Sequence, residues 1–307
     1  MNSKLKFGPI LAAITAIVFV ASACGGSSAS GANPSPTGKI TVASFNFPES
    51  SILAQIYGQA LAHHGYSVSY KLNLGNREVV SKAIESGAID IYAGYAATDL
   101  EFYNKHASEA SGDPNANQAK LNTHLSSLNM VALTPAAAND QNAFAMTKAN
   151  ADKYHATKLS DLAAIGDQLT LGGPPECPTR PFCQPGLKST YGINFKAFKS
   201  LDPDGPLTRA ALANNSIQVG LVFSSDADLT SLGLVVLQDD KHLQNADNIL
   251  PILRTAIASS DVKDILNRVD AKLTTADLIG MNKQVGIDHM DADVVAKAWL
   301  QKNGFLN

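Results

Sequence analysis

Strand-like and helix-like hydrophobic patterns alternate along the chain from Lys39 onward. Lys39–Phe45 alternates apolar and polar residues, which predicts a strand, and Pro48 then begins a run with apolar residues at helical spacing. The alternation continues with a strand at Val68–Leu74, a helix at Arg77–Ser86 and a strand at Ile89–Ala93. Helices of about 10 to 15 residues between strands predict an α/β fold with mostly parallel sheets.

One unit of this pattern occurs twice. In Ser81–Asp99 a helix is followed by a short apolar strand, and Tyr95 stands just past the end of that strand. Leu207–Asn214 and Ile217–Phe223 repeat the order of helix, turn and strand, with Phe223 in the place of Tyr95. Because ligands of open α/β sheets bind outside the carboxyl ends of the strands, the two aromatic residues predict one half-site on each of two lobes.

The remaining elements predict a second lobe followed by a return to the first. The first lobe is expected to comprise residues 39–138 and 234–307, and the second residues 139–233. The small residues of Pro135–Asp140 are expected to cross between them. Further strands are predicted at Met130–Thr134, Ala143–Thr147, Gln168–Gly172 and Leu234–Leu237, and helices at Lys120–Leu128, Leu159–Ile165, Asp261–Leu273, Ala276–Val285 and Asp291–Asn303, while Asn104–Asn117 is predicted to be an exposed connection.

The N-terminus has the features of an export signal. Two lysines precede the apolar run Ile10–Val20, and small residues lead to Cys24. A transmembrane anchor is the alternative, but the run is short for a bilayer span. A cysteine directly after small residues resembles the bacterial lipobox, which implies cleavage after residue 23 and a diacylglycerol anchor on Cys24. Residues 24–38 are rich in Gly, Ser and Pro and predict a flexible tether.

The other two cysteines, Cys177 and Cys183, lie in one proline-rich segment, Gly172–Leu187, which is predicted to be a loop. In an exported protein such a pair favours a disulfide over a metal site. Arg180 lies between the two cysteines, and an arginine on a constrained loop is well suited to bind a carboxylate or another polar ligand group. A structural salt bridge is the equal alternative for Arg180.

Composition narrows the function classes. The chain has 307 residues, 45% of them hydrophobic and 17% charged, which predicts a globular protein long enough for two domains. The net charge of −3 gives no basic surface for nucleic acid. The sequence contains no G-x-S-x-G or H-E-x-x-H motif and no cysteine–histidine pair at ligand spacing, so we expect no enzyme activity, metal or cofactor. A lipid-anchored enzyme and a ligand-free scaffold lipoprotein are the alternative classes.

Seven segments add a family resemblance that covers the chain from Lys39 to its end. In order they are VASFNFPES, LGNREVV, YAATD, RPFCQPGLKSTYG, FSSD, LVVLQDDK and KLTTADLIGMNKQV. Together they resemble the substrate-binding proteins of osmoprotectant ABC importers, the class that carries glycine betaine, choline and proline betaine. The resemblance implies a two-lobed periplasmic-binding-protein fold of type II. It also implies a monomer outside the cytoplasm that delivers its ligand to the transmembrane permease.

The resemblance also implies a binding site. In this family aromatic rings cage a quaternary ammonium group, because ring faces attract a cation without hydrogen-bond donors. A lysine, an arginine and a threonine hold the carboxylate of ligands that have one. The positions that match these roles in this sequence are Tyr95, Phe144 and Phe223 for the cage, Thr98 and Arg180 for the polar contacts, and Phe45 with Asn46 where the family has its lysine and the following asparagine.

Two departures from the family pattern bear on the ligand. Phe45 replaces the lysine, and Gln244–Asn248 has no aromatic residue where the family has a tyrosine. Losing the lysine removes a charge-assisted hydrogen bond of about 1.5–3 kcal/mol to a betaine carboxylate. The cleft is therefore expected to favour a larger or aromatic solute over glycine betaine, within the osmoprotectant-importer family. For every ring the alternative is simple core packing, and Tyr92 is an alternative to Tyr95 because it could point to the other side of its strand.

Overall fold

The computed structural model describes residues 38–229 and 231–307, which form two five-stranded sheets with helices packed on them. The strands are β1 (Lys39–Ala43), β2 (Ser67–Lys71), β3 (Ile91–Tyr95), β4 (Met130–Ala132), β5 (Asn142–Thr147), β6 (Thr170–Gly173), β7 (Ala197–Ser200), β8 (Val219–Phe223), β9 (Leu234–Val236) and β10 (Ile249–Arg254). The α-helices are α1 (Pro48–His63), α2 (Arg77–Glu85), α3 (Ala96–Tyr103), α4 (Pro114–Leu125), α5 (Lys148–Tyr154), α6 (Gln184–Tyr191), α7 (Pro206–Ala213), α8 (Ser260–Asp270), α9 (Thr275–Gly286) and α10 (Ala292–Lys302).

The two sheets share one plan. The first has the strand order β2-β1-β3-β10-β4 and the second β7-β6-β8-β5-β9. In each sheet the first three strands are parallel, and the fourth runs antiparallel to both of its neighbours. The α/β class is confirmed, with mixed sheets. We call the first sheet with α1 to α4 and α8 to α10 the first lobe, and the second sheet with α5 to α7 the second lobe.

The chain passes between the sheets twice, between β4 and β5 and between β9 and β10. Asn139 and Asn248 form an antiparallel bridge that joins the two crossing segments. The predicted return to the first lobe at residue 234 comes too early, because Leu234–Val236 pairs with β5 in the second sheet. Leu237 still donates to the Phe144 carbonyl, and Leu243 still packs in the core of the second lobe, so the second crossing begins after Leu243.

Several helix boundaries follow from local capping. The side chain of Asn76 accepts a hydrogen bond from the backbone of Val79 and begins α2 as predicted. Asp113 caps α4 in the same way, and Pro114 occupies its first turn, where no backbone N–H is needed. The predicted connection at 104–117 is therefore partly helical. α6 likewise begins inside the segment predicted to be a loop, with Pro185 in its first turn.

The predicted signal peptide, the lipid attachment at Cys24 and most of the tether lie outside the described residues. Within 38–229 and 231–307, no helix has the length and apolar character needed to cross a membrane.

Candidate functional site

A cleft lies between the two sheets, at the ends of β3 and β8 that carry Tyr95 and Phe223. It encloses about 870 Å³ of open space, its solvent-facing mouth included. Of the seven residues predicted to bind ligand, six line it. These six are Phe45, Asn46, Tyr95, Thr98, Arg180 and Phe223.

Four aromatic rings form a continuous wall across the two lobes. Phe47 stands at its centre, with its ring centroid 5.2 Å from that of Phe223 and 6.1 Å from that of Tyr95. Phe45 lies 5.9 Å from Phe47 and 6.4 Å from Tyr95. We call Phe45, Phe47, Tyr95 and Phe223 the ring wall. Its geometry suits a cation, because all four rings line the same cleft and ring faces attract a cation.

Phe47 was missed in the sequence, since it ends no strand. It occupies the N-cap position of α1, directly before Pro48, where the backbone is extended. A hydrophobic residue at a helix start is usually interpreted as packing. Its only sequence signal is its place two residues after Phe45.

The prediction that Phe144 contributes to the cage is wrong. Its side chain is 1% exposed and does not line the cleft. Phe144 packs in the core of the second lobe with Leu171 and Leu221, so the alternative of core packing holds at this position. Tyr92 is also buried in a core, and its hydroxyl donates to Asp99 at 3.2 Å, which leaves Tyr95 as the cleft residue of β3.

Two arginines face the cleft from opposite lobes. Arg77, the first residue of α2, donates through Nε to Asp99 at 2.8 Å, and its guanidinium lies 5.0 Å from the centroid of the Phe45 ring. Arg180 donates through Nη2 to Glu78 at 2.7 Å. Arg180 therefore lines the cleft and also makes the salt bridge that was the alternative interpretation, and its role in ligand binding stays a prediction.

Both guanidinium groups keep capacity for a ligand. Within the described part of the chain, the side-chain hydrogen bonds of Arg77 use only Nε and those of Arg180 only Nη2. Burial lowers the pKa of Arg180, and the positive charge of Arg77 lowers it further. Two cations that destabilise each other across a cleft create a favourable position for an anion. Arg77 thus supplies a cation beside Phe45, which stands at the position where the family resemblance implies a lysine.

Asp247 connects the cleft to the crossing segments. Both the backbone N–H and the hydroxyl of Thr98 donate to its carboxylate, and the backbone carbonyl of Asp247 accepts from Asp140 at 3.3 Å. Thr98 therefore lines the cleft with its hydroxyl already hydrogen-bonded to Asp247. The sequence analysis missed Asp247 because only an aromatic residue was sought in that segment.

The buried carboxyl of Asp247 predicts a pH-dependent stability. Burial raises its pKa from the usual 3.8 to about 6, although the Thr98 hydrogen bonds favour the charged form. Because the pKa of Asp247 is higher in the folded protein than in the unfolded chain, protonation of this carboxyl favours the folded state. Its contribution to the free energy of unfolding is complete below about pH 4 and is lost as the pH rises through about 6. The loss is about 3 kcal/mol at most. We expect the melting temperature of Asp247→Asn, relative to wild type, to rise between pH 4 and 7, and parallel curves would contradict this.

The predicted disulfide is confirmed. Cys177 and Cys183 are bonded, and Arg180 lies inside the ring that they close. Both sulfur-bearing residues are buried against the core of the second lobe. This arrangement fixes the backbone that presents Arg180 to the cleft. Among residues 38–229 and 231–307, no cluster of three or more His, Cys, Asp or Glu side chains is arranged to hold a metal ion.

Two lobes, each with an aromatic residue at the end of a strand and with a cleft between them, define a two-lobed solute-binding protein. The chain belongs to the family described as the substrate binding domain of ABC-type glycine betaine transport systems, whose profile matches residues 38–302. It is thus the solute-binding component of an ABC importer, and it binds its solute outside the cytoplasm and works with a membrane permease. The members of this family are solute-binding proteins and not enzymes.

Individual relatives agree with this assignment. A glycine-betaine-binding protein of Pseudomonas aeruginosa is 27% identical over 296 residues, which cover 93% of this chain and 94% of that protein. The glycine betaine-binding protein YehZ of Escherichia coli strain K12 is 26% identical over 268 residues, 84% of this chain and 88% of that protein. A crystal structure of a glycine betaine/carnitine/choline ABC transporter has a TM-score of 0.67 at 23% identity and covers 87% of this chain and 100% of that chain, which supports the fold.

Proposed function

We propose that this protein captures a betaine-type zwitterion, with the quaternary ammonium group on the ring wall and the carboxylate between Arg77 and Arg180. The observation that carries the proposal is that the four rings of the ring wall and two guanidinium groups line one cleft. Ring faces recognise the cation, and arginine N–H groups suit a carboxylate.

The replacement of the family's lysine by Phe45 does not deprive the cleft of positive charge. Arg77 lies over one face of the Phe45 ring, and its Nη atoms have no hydrogen-bond partner within the described residues. The phenylalanine adds a ring to the wall, and the arginine takes over the anion. Both changes together keep a zwitterion as the best ligand.

Capture depends on lobe closure. Contacts between the two lobes include the Phe47–Phe223 ring contact, the Arg180–Glu78 ion pair and the hydrogen bonds of Ser225 with Glu49 and Asn282. A ligand that touches both lobes stabilises the closed state by its additional contacts there, and the closed form is the one delivered to the permease. Acylated Cys24 and the tether up to residue 38 would hold a monomer near that permease. We propose that the lobe boundaries lie at the crossings, after residue 138 and after Leu243.

Isothermal titration calorimetry tests the proposal. We expect the protein to bind glycine betaine and proline betaine more tightly than choline, which has the cation but no carboxylate. A preference for choline would overturn the assignment of the two arginines. Binding of an aromatic solute alone would favour the alternative of a non-betaine importer, which the additional rings of Phe102 and Phe182 in the cleft lining could serve.

A further inference from the structure

A buried carboxylate stands directly behind the ring wall. Glu49, in the first turn of α1, is 3% exposed and accepts three hydrogen bonds. The Tyr95 hydroxyl donates to Oε1 at 2.9 Å, the Ser225 hydroxyl to Oε2 at 2.6 Å and the Asn282 amide to Oε2 at 2.8 Å. These three donors come from the ring wall, from the second lobe and from α9, so one side chain joins three separate parts of the molecule.

None of these donors carries a charge. Burial raises the pKa of Glu49, and the hydrogen bonds from Ser225, Asn282 and Tyr95 oppose that rise. Asp140, also buried, lies near enough to Glu49 that the Glu49 charge adds to the burial that raises the pKa of Asp140, and it accepts from the backbone N–H of Ser225 at 2.9 Å. A carboxylate without a cationic hydrogen-bond partner depends on each of its neutral donors, because losing one leaves a buried acceptor without its partner.

The charged groups on the far side of Glu49 are already paired with one another. Glu49 also lines a smaller cavity with Arg209, Asp204 and Asp226. Arg209 donates to Asp226 at 2.6 Å and lies 3.8 Å from Asp204. Among the described residues, the side chain of Glu49 therefore accepts hydrogen bonds only from Tyr95, Ser225 and Asn282.

We infer that Glu49 is a positioning residue that couples the Tyr95 ring to closure of the second lobe through Ser225. Ser225 follows β8 and belongs to the second lobe, whereas Glu49 and Tyr95 belong to the first, so the Glu49–Ser225 bond exists only while the lobes meet. When it is present, Glu49 is fixed and in turn fixes the hydroxyl of Tyr95, and with it the orientation of the ring face. The inference rests on the proposed function, because it assigns Tyr95 to the ligand.

The coupling has a signature that simple packing lacks. Tyr95 and Ser225 both donate to Glu49, so removing either hydroxyl weakens the same link. We expect Tyr95→Phe and Ser225→Ala in the full-length protein each to weaken glycine betaine binding about fivefold, mainly through faster release. Their combination should weaken binding by no more than about tenfold, well short of the roughly twenty-fivefold product expected for independent sites. In a Glu49→Leu background, which has no side-chain acceptor, each hydroxyl substitution should change affinity less than about twofold.

Ser224→Ala is the matched control. Ser224 precedes Ser225, but its hydroxyl donates to Asp140 at 3.1 Å and not to Glu49. Its effect should multiply with that of Tyr95→Phe. The inference is overturned if Ser225→Ala also multiplies with Tyr95→Phe, or if Glu49→Leu lowers only the melting temperature and leaves glycine betaine affinity unchanged.

A measurement without ligand separates this inference from the proposed function. If the wild type binds neither glycine betaine nor choline in calorimetry, the proposed function fails while the Glu49 link can still be measured. Small-angle X-ray scattering of the ligand-free protein should then give a larger radius of gyration for Glu49→Leu and Ser225→Ala than for wild type and Ser224→Ala. Equal radii for all four proteins would overturn the coupling.

Discussion

Phe223→Ala is expected to weaken glycine betaine binding about thirtyfold, which corresponds to roughly 2 kcal/mol for a cation on a desolvated ring face. Phe223 is the second lobe's contribution to the ring wall, in contact with Phe47 across the cleft. Its removal takes away both a ring face and the apolar contact that closes the lobes over the ligand. Calorimetric titration of the variant and the wild type at one salt concentration measures the change.

Phe198→Ala is a matched control for this substitution. Phe198 is a partly buried phenylalanine of the second lobe, on the edge strand β7 and outside the cleft lining. It should lower the melting temperature while leaving affinity within about twofold of wild type. Equal affinities of Phe223→Ala and wild type would place the ligand elsewhere in the cleft.

Tyr95→Ala is a less informative test of the same wall. Tyr95 is only 5% exposed and belongs to the core of the first lobe. Truncating a buried aromatic side chain costs about 3–5 kcal/mol, so the variant would lose stability together with any ligand contact. Phe223 is half-buried and separates the two effects better.

The repeated unit in the sequence predicted the two-lobed plan, and the reason is local. In both copies a helix, a turn of small residues and an apolar strand follow one another within about twenty residues, so hydrophobic spacing alone reveals them. β10 was missed although it lies between β3 and β4 in the first sheet. Pro251 occurs inside this strand, and a proline normally argues against a paired strand. Here its carbonyl accepts from Leu133 while its pairing partner is Ala93.

The site was predictable where its residues end strands or belong to recognisable motifs. Tyr95, Phe223 and Arg180 fall in that group, and all three line the cleft. Arg77 was interpreted only as the first residue of a helix, since its position beside Phe45 depends on how α2 packs and on its bond to Asp99. Such long-range contacts leave no periodic signal in the sequence.

At Phe144 the family resemblance predicted a cleft residue, but the side chain packs into the core of the second lobe. β5 pairs with β8 so that Phe144 lies opposite Leu221, within the second sheet and away from its edge. A match in position along the chain does not fix which way a side chain points, because one residue of register reverses the face.

Arg180→Gln is expected to weaken glycine betaine binding by ten- to a hundredfold while leaving choline affinity within about threefold. The difference arises because a hydrogen bond between charged groups contributes about 1.5–3 kcal/mol, and choline has a hydroxyl where glycine betaine has a carboxylate. Arg180 is preferable to Arg77 for this test. Arg77 neutralises Asp99, which is fully buried, and removing it would leave an unpaired buried charge. The ratio of the two dissociation constants, measured by calorimetry, reports the discrimination directly.

Glu78→Gln separates the two roles of Arg180. The Glu78 side chain is 43% exposed and pairs with Arg180 between the lobes, but it does not line the cleft. If Arg180 acts only as a bridge between the lobes, Glu78→Gln and Arg180→Gln should weaken glycine betaine and choline binding alike, because closure serves both ligands. If Arg180 binds the carboxylate, Glu78→Gln should leave the ratio of the two affinities unchanged, and only Arg180→Gln should reduce it. If Arg180→Gln instead weakens glycine betaine and choline binding equally, Arg180 does not bind the carboxylate. Arg77 is then the remaining candidate among the arginines that line the cleft in the described residues.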